Sequence, residues 1–260
     1  MKRIVSLILF ISLAAIINQA QSARPAGDAK VAAAARTTGS APTVDQILDK
    51  YVSAVGGRDA LEKINSRTTK GSLQFEKGLN LTGETEGYFK FPNKNLINTN
   101  LPGLGLLQEG YDGSTAWTKD SSNGLRERKG RELEEAKLDA EFNRELKLKR
   151  LYPKMELKGT QKIAGRDAYL IEATPAGGTT EKFYFDTQTG LLVRLDRERL
   201  TPQGDAVAVE IYYEDYREAD GIKVHFSERH ILPDVIVLIR YNSIKHNLPI
   251  DDAKFAKPSK

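Results

Sequence analysis

From Arg67 onward, apolar residues of this chain recur at every second position, and that period constrains its fold more than any other feature. Leu73/Phe75 and Phe89/Phe91 alternate with polar neighbours, and Phe183/Phe185 and Ile222/Val224/Phe226 do the same. Val207/Val209/Ile211/Tyr213 make a longer row against Ala208, Glu210 and Tyr212, and Val235/Val237/Ile239/Tyr241 make another. Successive side chains of a strand point to opposite faces, so this period reads as half-buried β-strands. Turn signals separate the runs. Asp186-Thr187-Gln188-Thr189-Gly190 leads into Leu191/Val193, Asp220-Gly221 precedes Ile222, and Tyr111-Asp112-Gly113 precedes Trp117. Strands joined by tight turns form an antiparallel meander. Alternation over roughly ten strands implies a strongly curved sheet with one apolar face and one polar face.

The period changes to 3.6 in two places. Thr43-Val44-Asp45-Gln46 is a capping box, in which the Thr hydroxyl and the Gln side chain satisfy reciprocal backbone donors. Ile47, Leu48, Tyr51, Val52 and Val55 then form one stripe, Gly56-Gly57 ends the helix, and Arg58 to Ile64 reads as a second, shorter one. In mid-chain, Arg131 to Tyr152 reads as one charged helix with Leu138, Phe142 and Leu146 on a single face, stopped by Pro153. The expected fold is mainly β with helices (α+β): a half-open, curved antiparallel β-barrel covered on its concave side by the N-terminal and mid-chain helices. Two outcomes fit this pattern. The helices fill the concave face and make a plain core, or they leave a cavity for an apolar ligand.

Composition removes several kinds of chemistry. The 260 residues include no cysteine, which excludes disulfides, thiolate metal sites and a cysteine nucleophile. Basic and acidic residues number 39 and 35, so the net charge of +4 does not mark a nucleic-acid binder. Met1-Lys2-Arg3, the apolar run Ile4 to Ile17 and the small residues after it have the order of a secretory signal peptide, expected over 1–20 with cleavage near 20–23. Gln21 to Pro42 reads as an Ala-rich flexible linker, and 43–260 as one domain. Without a cysteine there is no lipobox. The expectation is a bacterial periplasmic protein, soluble after cleavage and monomeric.

Catalytic patterns are missing. No nucleophile elbow, phosphate loop or zinc-binding helix motif occurs. His225 and His230 stand five apart on one strand, which places them on opposite faces, and with His246 they read as surface or edge residues. Glu134/Glu135 and Asp251/Asp252 read as solvated pairs, and the basic runs Arg126 to Arg131 and Lys147 to Arg150 as solvated helix surface. No enzyme activity, metal, cofactor or nucleic-acid partner is expected. The stretch Leu101-Pro-Gly-Leu-Gly-Leu-Leu107 is apolar, Gly-rich and aperiodic. Leu104, Leu106 and Leu107 are its candidate gate residues; the alternative is a strand connection tucked into the core.

Five stretches together resemble the outer-membrane lipoprotein-sorting (LolA/LolB-like) superfamily. They are Ile47 to Gly57 (ILDKYVSAVGG), Gly165 to Tyr169 (GRDAY), Phe183 to Arg194 (FYFDTQTGLLVR), Asp220 to Val224 (DGIKV) and Ile250 to Phe255 (IDDAKF). The resemblance spans roughly Thr43 to Pro258 and rests on turns and strand ends, which specify architecture better than activity. It implies a half-open barrel, lidded by helices, whose hydrophobic cavity holds acyl chains of lipoproteins or other lipids. A donor or acceptor protein of the envelope is the implied partner. Alternation alone nominates the lining: Phe89, Phe91, Phe183, Phe185, Val207, Val209, Ile211, Val224, Phe226 and Ile239. The other reading is a structural or protein-interaction module of the envelope with a filled core.

Overall fold

The structure is a computed structural model that describes residues 41–201 and 203–259. The expected leader and most of the expected linker lie outside the described residues.

The chain enters on α1 (Val44–Ala54). Gln46 N donates to Thr43 Oγ1 at 3.2 Å and Thr43 N donates to Gln46 Oε1 at 2.9 Å, which is the capping box. α1 buries Ile47, Leu48 and Tyr51, and α2 (Arg58–Glu62) follows the two glycines. Next come β1 (Ser66–Lys77), β2 (Thr82–Lys90), β3 (Lys94–Leu101), β4 (Gly105–Tyr111), β5 (Ala116–Asp120) and β6 (Gly124–Glu127). A helical segment interrupts: α3 (Arg131–Ala140), a 3₁₀ turn (Arg144–Leu146) and α4 (Leu148–Leu151). The second run of strands is β7 (Lys154–Ile163), β8 (Arg166–Thr174), β9 (Glu181–Asp186), β10 (Leu192–Leu200), β11 (Ala206–Ala219), β12 (Ile222–Ile231) and β13 (Ile236–His246). A second 3₁₀ turn (Asp252–Phe255) follows them.

All thirteen strands form one antiparallel sheet in the order β6-β5-β4-β3-β2-β1-β13-β12-β11-β10-β9-β8-β7. Each run is a meander, and β1 pairs with β13 to weld the first wing (β1–β6) to the second (β7–β13). β6 and β7 are the free edges, and the helical segment is the chain that joins them. The β11–β12 turn is Asp220-Gly221 with φ of 52° and 83°; two successive positive values match a tight primed turn to strand twist. Trp117 lies opposite Gly110, and a Cβ on that glycine would meet the indole ring at 2.4 Å, so the strand surface must be bare for the ring to lie on it.

Three expectations are corrected. The outer face is not uniformly polar: Leu96 and Trp117 pack against Ile250 and Phe255, with Trp117 Nε1 donating to Phe255 O at 3.1 Å. On the other wing Ile163, Leu170, Tyr184 and Val193 form a second outer cluster. A register shift between Leu192 and Arg194 buries Leu192 and Leu195 in the main core, with Leu191 half-buried against it and Val193 turned to the outer cluster. The mid-chain helix breaks after Ala140, because Asn143 takes a left-handed φ of 50°. Its Nδ2 donates to Leu61 O at 2.8 Å and Ile64 O at 3.1 Å, which ties the break to the end of α2.

Candidate ligand cavity

The inner face of the sheet carries the largest apolar cluster, and its two wings are covered differently. Over β8 and β9 the cover is tight: Tyr51 of α1 meets Phe185 with ring centroids 5.2 Å apart, and Tyr152 meets Phe183 edge-on at 5.1 Å. Over β1 to β4 a space of about 270 Å³ remains. Residues of β1, β2, β3, β4, β10, β11, β12 and β13 border it, so the sheet curls far enough for both wings to face one volume. Leu73, Phe75, Leu101, Leu107, Ile211 and Ile239 make its apolar wall. A smaller space of about 130 Å³ lies beside it and shares Arg144 and Tyr213 as wall.

The remaining wall is charged. Arg197 is buried between two carboxylates: Nη1 donates to Asp139 Oδ1 at 2.7 Å, and Nη2 lies 3.0 Å from Glu181 Oε1. Arg199 bonds the other oxygen of Asp139. Tyr152 donates to Glu181 Oε2 at 2.6 Å, and Arg144 Nη2 reaches the same oxygen at 3.4 Å and the Tyr152 hydroxyl as well. Asp139, Arg144 and Tyr152 belong to the helical segment, whereas Glu181, Arg197 and Arg199 belong to β9 and β10. The network therefore joins the cover to the sheet. Burial opposes ionisation of Asp139, but Arg197 and Arg199 outweigh it and hold the carboxyl well below the usual carboxylate range. Glu109, on the same cavity, shows the reverse: burial outweighs Arg128 and raises its carboxyl.

A second polar group lies on β12. Glu228 Oε1 is 2.9 Å from His225 Nε2 and accepts from the Tyr241 hydroxyl at 3.0 Å, and Oε2 is 2.8 Å from His230 Nε2. Burial opposes its ionisation, but the two imidazole hydrogen bonds outweigh it and keep the carboxyl well below its ordinary range. The expected separation of His225 and His230 onto opposite faces is thus overturned, since both meet one carboxylate. Opposite them, Asp215 has a φ of 54° and interrupts the alternation of β11, so that Tyr213 and Tyr216, three apart, border one cavity. The reading of Glu134/Glu135 as a solvated pair holds for Glu134 alone. Glu135 is buried, with Arg128 and Arg131 each 3.8 Å away. Arg128, expected on a solvated surface, is buried too. Among the described residues, no group of three or more His, Asp or Glu side chains is arranged to hold a metal ion.

No protein-family model and no curated protein matches the sequence. Solved structures do match. A DUF1329 family protein from Desulfovibrio piger superposes with a TM-score of 0.57 at 17% identity, covering 82% of this chain and 97% of its own. A LolA superfamily protein from Nitrosomonas europaea superposes with a TM-score of 0.56 at 14% identity, covering 84% and 99%. The chain has a LolA-like fold. A domain assigned to outer membrane lipoprotein sorting in Vibrio parahaemolyticus agrees, with a TM-score of 0.51 at 11% identity over 74% and 90%.

Within this LolA-like sheet the residues nominated from alternation separate into groups. Phe89, Ile211 and Ile239 border the larger cavity, and Phe183 and Val224 the smaller one. Phe185, Val207 and Val209 are buried in the core and border neither cavity. Phe226 is half-buried beneath the exposed guanidinium of Arg217, 4.8 Å from its ring centroid. Phe91 lies beyond the end of β2, is 54% exposed and has the Lys147 ammonium over its ring. Of the candidate gate, Leu107 borders the cavity, Leu104 packs half-buried in the β3–β4 turn, and Leu106 is 48% exposed. Parity explains that division, because neighbours on β4 face opposite ways. The charged residues were missed, yet the same parity carried a signal for them. Extending Phe185/Phe183 by one step reaches Glu181, Leu107 leads to Glu109, and Val224/Phe226 lead to Glu228 and His230.

Proposed function

We propose that this chain is a non-catalytic periplasmic carrier that holds an acyl chain of a lipoprotein, or another lipid, inside its curved sheet. One observation carries the reading: a space of about 270 Å³ lies between two wings of a LolA-like sheet, lined by Leu73, Phe75, Leu101 and Leu107 from one wing and Ile211 and Ile239 from the other. Each methylene moved there from water contributes about 0.8 kcal/mol, so a hydrocarbon tail needs no covalent attachment. The β3–β4 turn with Leu104 and the start of β4, with Leu107 on the cavity and Leu106 in solvent, act as the gate. An envelope protein is the donor or acceptor of the cargo. Among the described residues no helix is long and apolar enough to cross a membrane.

Native mass spectrometry of the protein purified from its own periplasm tests this. The expected result is a co-purifying lipid that Ile211→Asp removes while the far-ultraviolet circular dichroism stays unchanged. A wild-type protein that carries no lipid and takes up no apolar probe rejects the carrier. That result would favour the envelope module with a filled core, a reading that draws on the tight packing of Tyr51, Phe183 and Phe185.

A further inference from the structure

A ligand made only of hydrocarbon has no use for the charged half of the cavity, so the hydrogen-bonding capacity left over there bears on the cargo. Arg197 commits both terminal nitrogens, to Asp139 and to Glu181. Among the described residues Arg199 commits only Nη1, to Asp139, and makes no hydrogen bond through Nη2. Among the described residues Arg144 commits only Nη2, to Tyr152 and Glu181, and leaves Nη1 without a hydrogen bond. The Tyr213 hydroxyl makes none among the described residues. All three of these side chains border the cavity. The acceptors beside them are taken, since both oxygens of Asp139 and both of Glu181 are engaged. At the Arg144–Arg197–Arg199 cluster the unused capacity is therefore of donors, two of them guanidinium groups that match a planar oxyanion, whereas Glu109, on β4 across the cavity, keeps acceptor oxygens without a hydrogen bond among the described residues.

Charge points the same way. Among the described residues, Arg144, Arg197 and Arg199 are in direct contact with the carboxylates of Asp139 and Glu181 alone. The next carboxylates have cations of their own: Glu109 has Arg128 at 4.0 Å, and Glu135 has Arg128 and Arg131. Glu228, also on the cavity, is held by His225, His230 and Tyr241 and repels an anion from its own end. Size narrows the class further. A space of about 270 Å³, with about 130 Å³ beside it, is roughly two to three times a cavity of about 150 Å³ that takes one benzene, which suits one chain rather than the two or three of a membrane lipid.

We propose that the cargo is a single-chain fatty acid whose carboxylate is taken inside and bound by Arg199, Arg144 and Tyr213, with its tail on the Leu73–Leu107 wall. This rests on the reading of the cavity as a lipid site. Calorimetric titration of the purified protein with decanoate, 1-decanol and decyl phosphate tests it. The expected result is decanoate binding about tenfold or more tighter than the alcohol, the scale of a charge-assisted hydrogen bond. In Arg199→Met and in Tyr213→Phe the ratio of the two affinities falls toward one, and Arg199→Lys keeps part of it. Equal binding of decanoate and decanol by the wild type overturns the headgroup site and leaves the carrier standing, with no variant needed. A preference for decyl phosphate overturns the assignment to a carboxylate. Binding of none of the three overturns the headgroup site together with the carrier.

Discussion

Two rows of alternating apolar residues, Phe183/Phe185 on β9 and Leu73/Phe75 on β1, have the same pattern and the same inward parity, yet they meet different surroundings. The β9 row is covered by Tyr51 and Tyr152 from the helices, with Phe183 and Phe185 stacked at 6.2 Å and only Phe183 reaching the smaller space. The β1 row borders open volume. The difference lies in where the helices dock. The α1 stripe is spent on the second wing, and the helical segment that joins the sheet edges reaches the first wing with the small residues Ala136 and Ala140 against Tyr111 and Ala116. A core and a cavity thus form within one sheet, divided by the Asp139–Arg197–Glu181 network.

Substitutions can break that contrast. The largest effect is expected at the covered row: Phe185→Ala removes a fully buried ring and lowers the unfolding free energy by about 3–5 kcal/mol, read from urea denaturation. Next, Arg197→Met leaves Asp139 and Glu181 without their shared buried cation and costs about 3 kcal/mol in the same assay. At the open row the loss is smaller. Leu107→Ala takes methyl groups from a wall that already borders space, so about 2 kcal/mol is expected, with a larger relative loss in acyl-chain binding measured by calorimetry. A cost for Leu107→Ala equal to that of Phe185→Ala would mean that the cavity is packed after all.

The charged divider is testable through pH. Asp139 is held below the 3.8 of a free aspartate, so its contribution is fully present above that pH and is lost as the pH falls. The gap in urea midpoint between wild type and Asp139→Asn is therefore expected to be widest near neutrality and to close below about pH 4. Glu109 runs in the opposite sense. Its raised carboxyl favours the folded state below the 4.5 of a free glutamate and loses that contribution as the pH rises, so Glu109→Gln should gain on the wild type toward neutral pH. The smallest effect belongs to Asp252. It also sits between two cations, Lys90 at 2.7 Å and Lys94 at 2.8 Å, but in solvent. Asp252→Asn is expected to leave the midpoint within experimental scatter.

Much of the frame was legible locally. The capping box at Thr43 and Gln46, the double glycine after α1 and the Asp220-Gly221 turn each act through neighbouring atoms, and each appears where the residues placed it. The inward parity of Leu73, Phe183 and Ile211 was readable for the same reason. What escaped were breaks in parity: the register shift at Leu192 and the positive φ of Asp215, which bring unexpected side chains inward. The break at Asn143 escaped too, because its side chain is held by carbonyl groups of Leu61 and Ile64, about eighty positions away in the chain.

Strand identity, turn positions and the apolar face therefore follow from side-chain order along this chain, since period and turn chemistry are local properties. Whether that face closes on itself or keeps a cavity, and whether its charged residues end in water or inside, depends on contacts between segments far apart. Glu181, Arg197 and Asp139 come from β9, β10 and α3, and each on its own reads as an ordinary surface charge. Only their convergence under one cover, where burial makes pairing obligatory, turns them into the charged network beside the cavity.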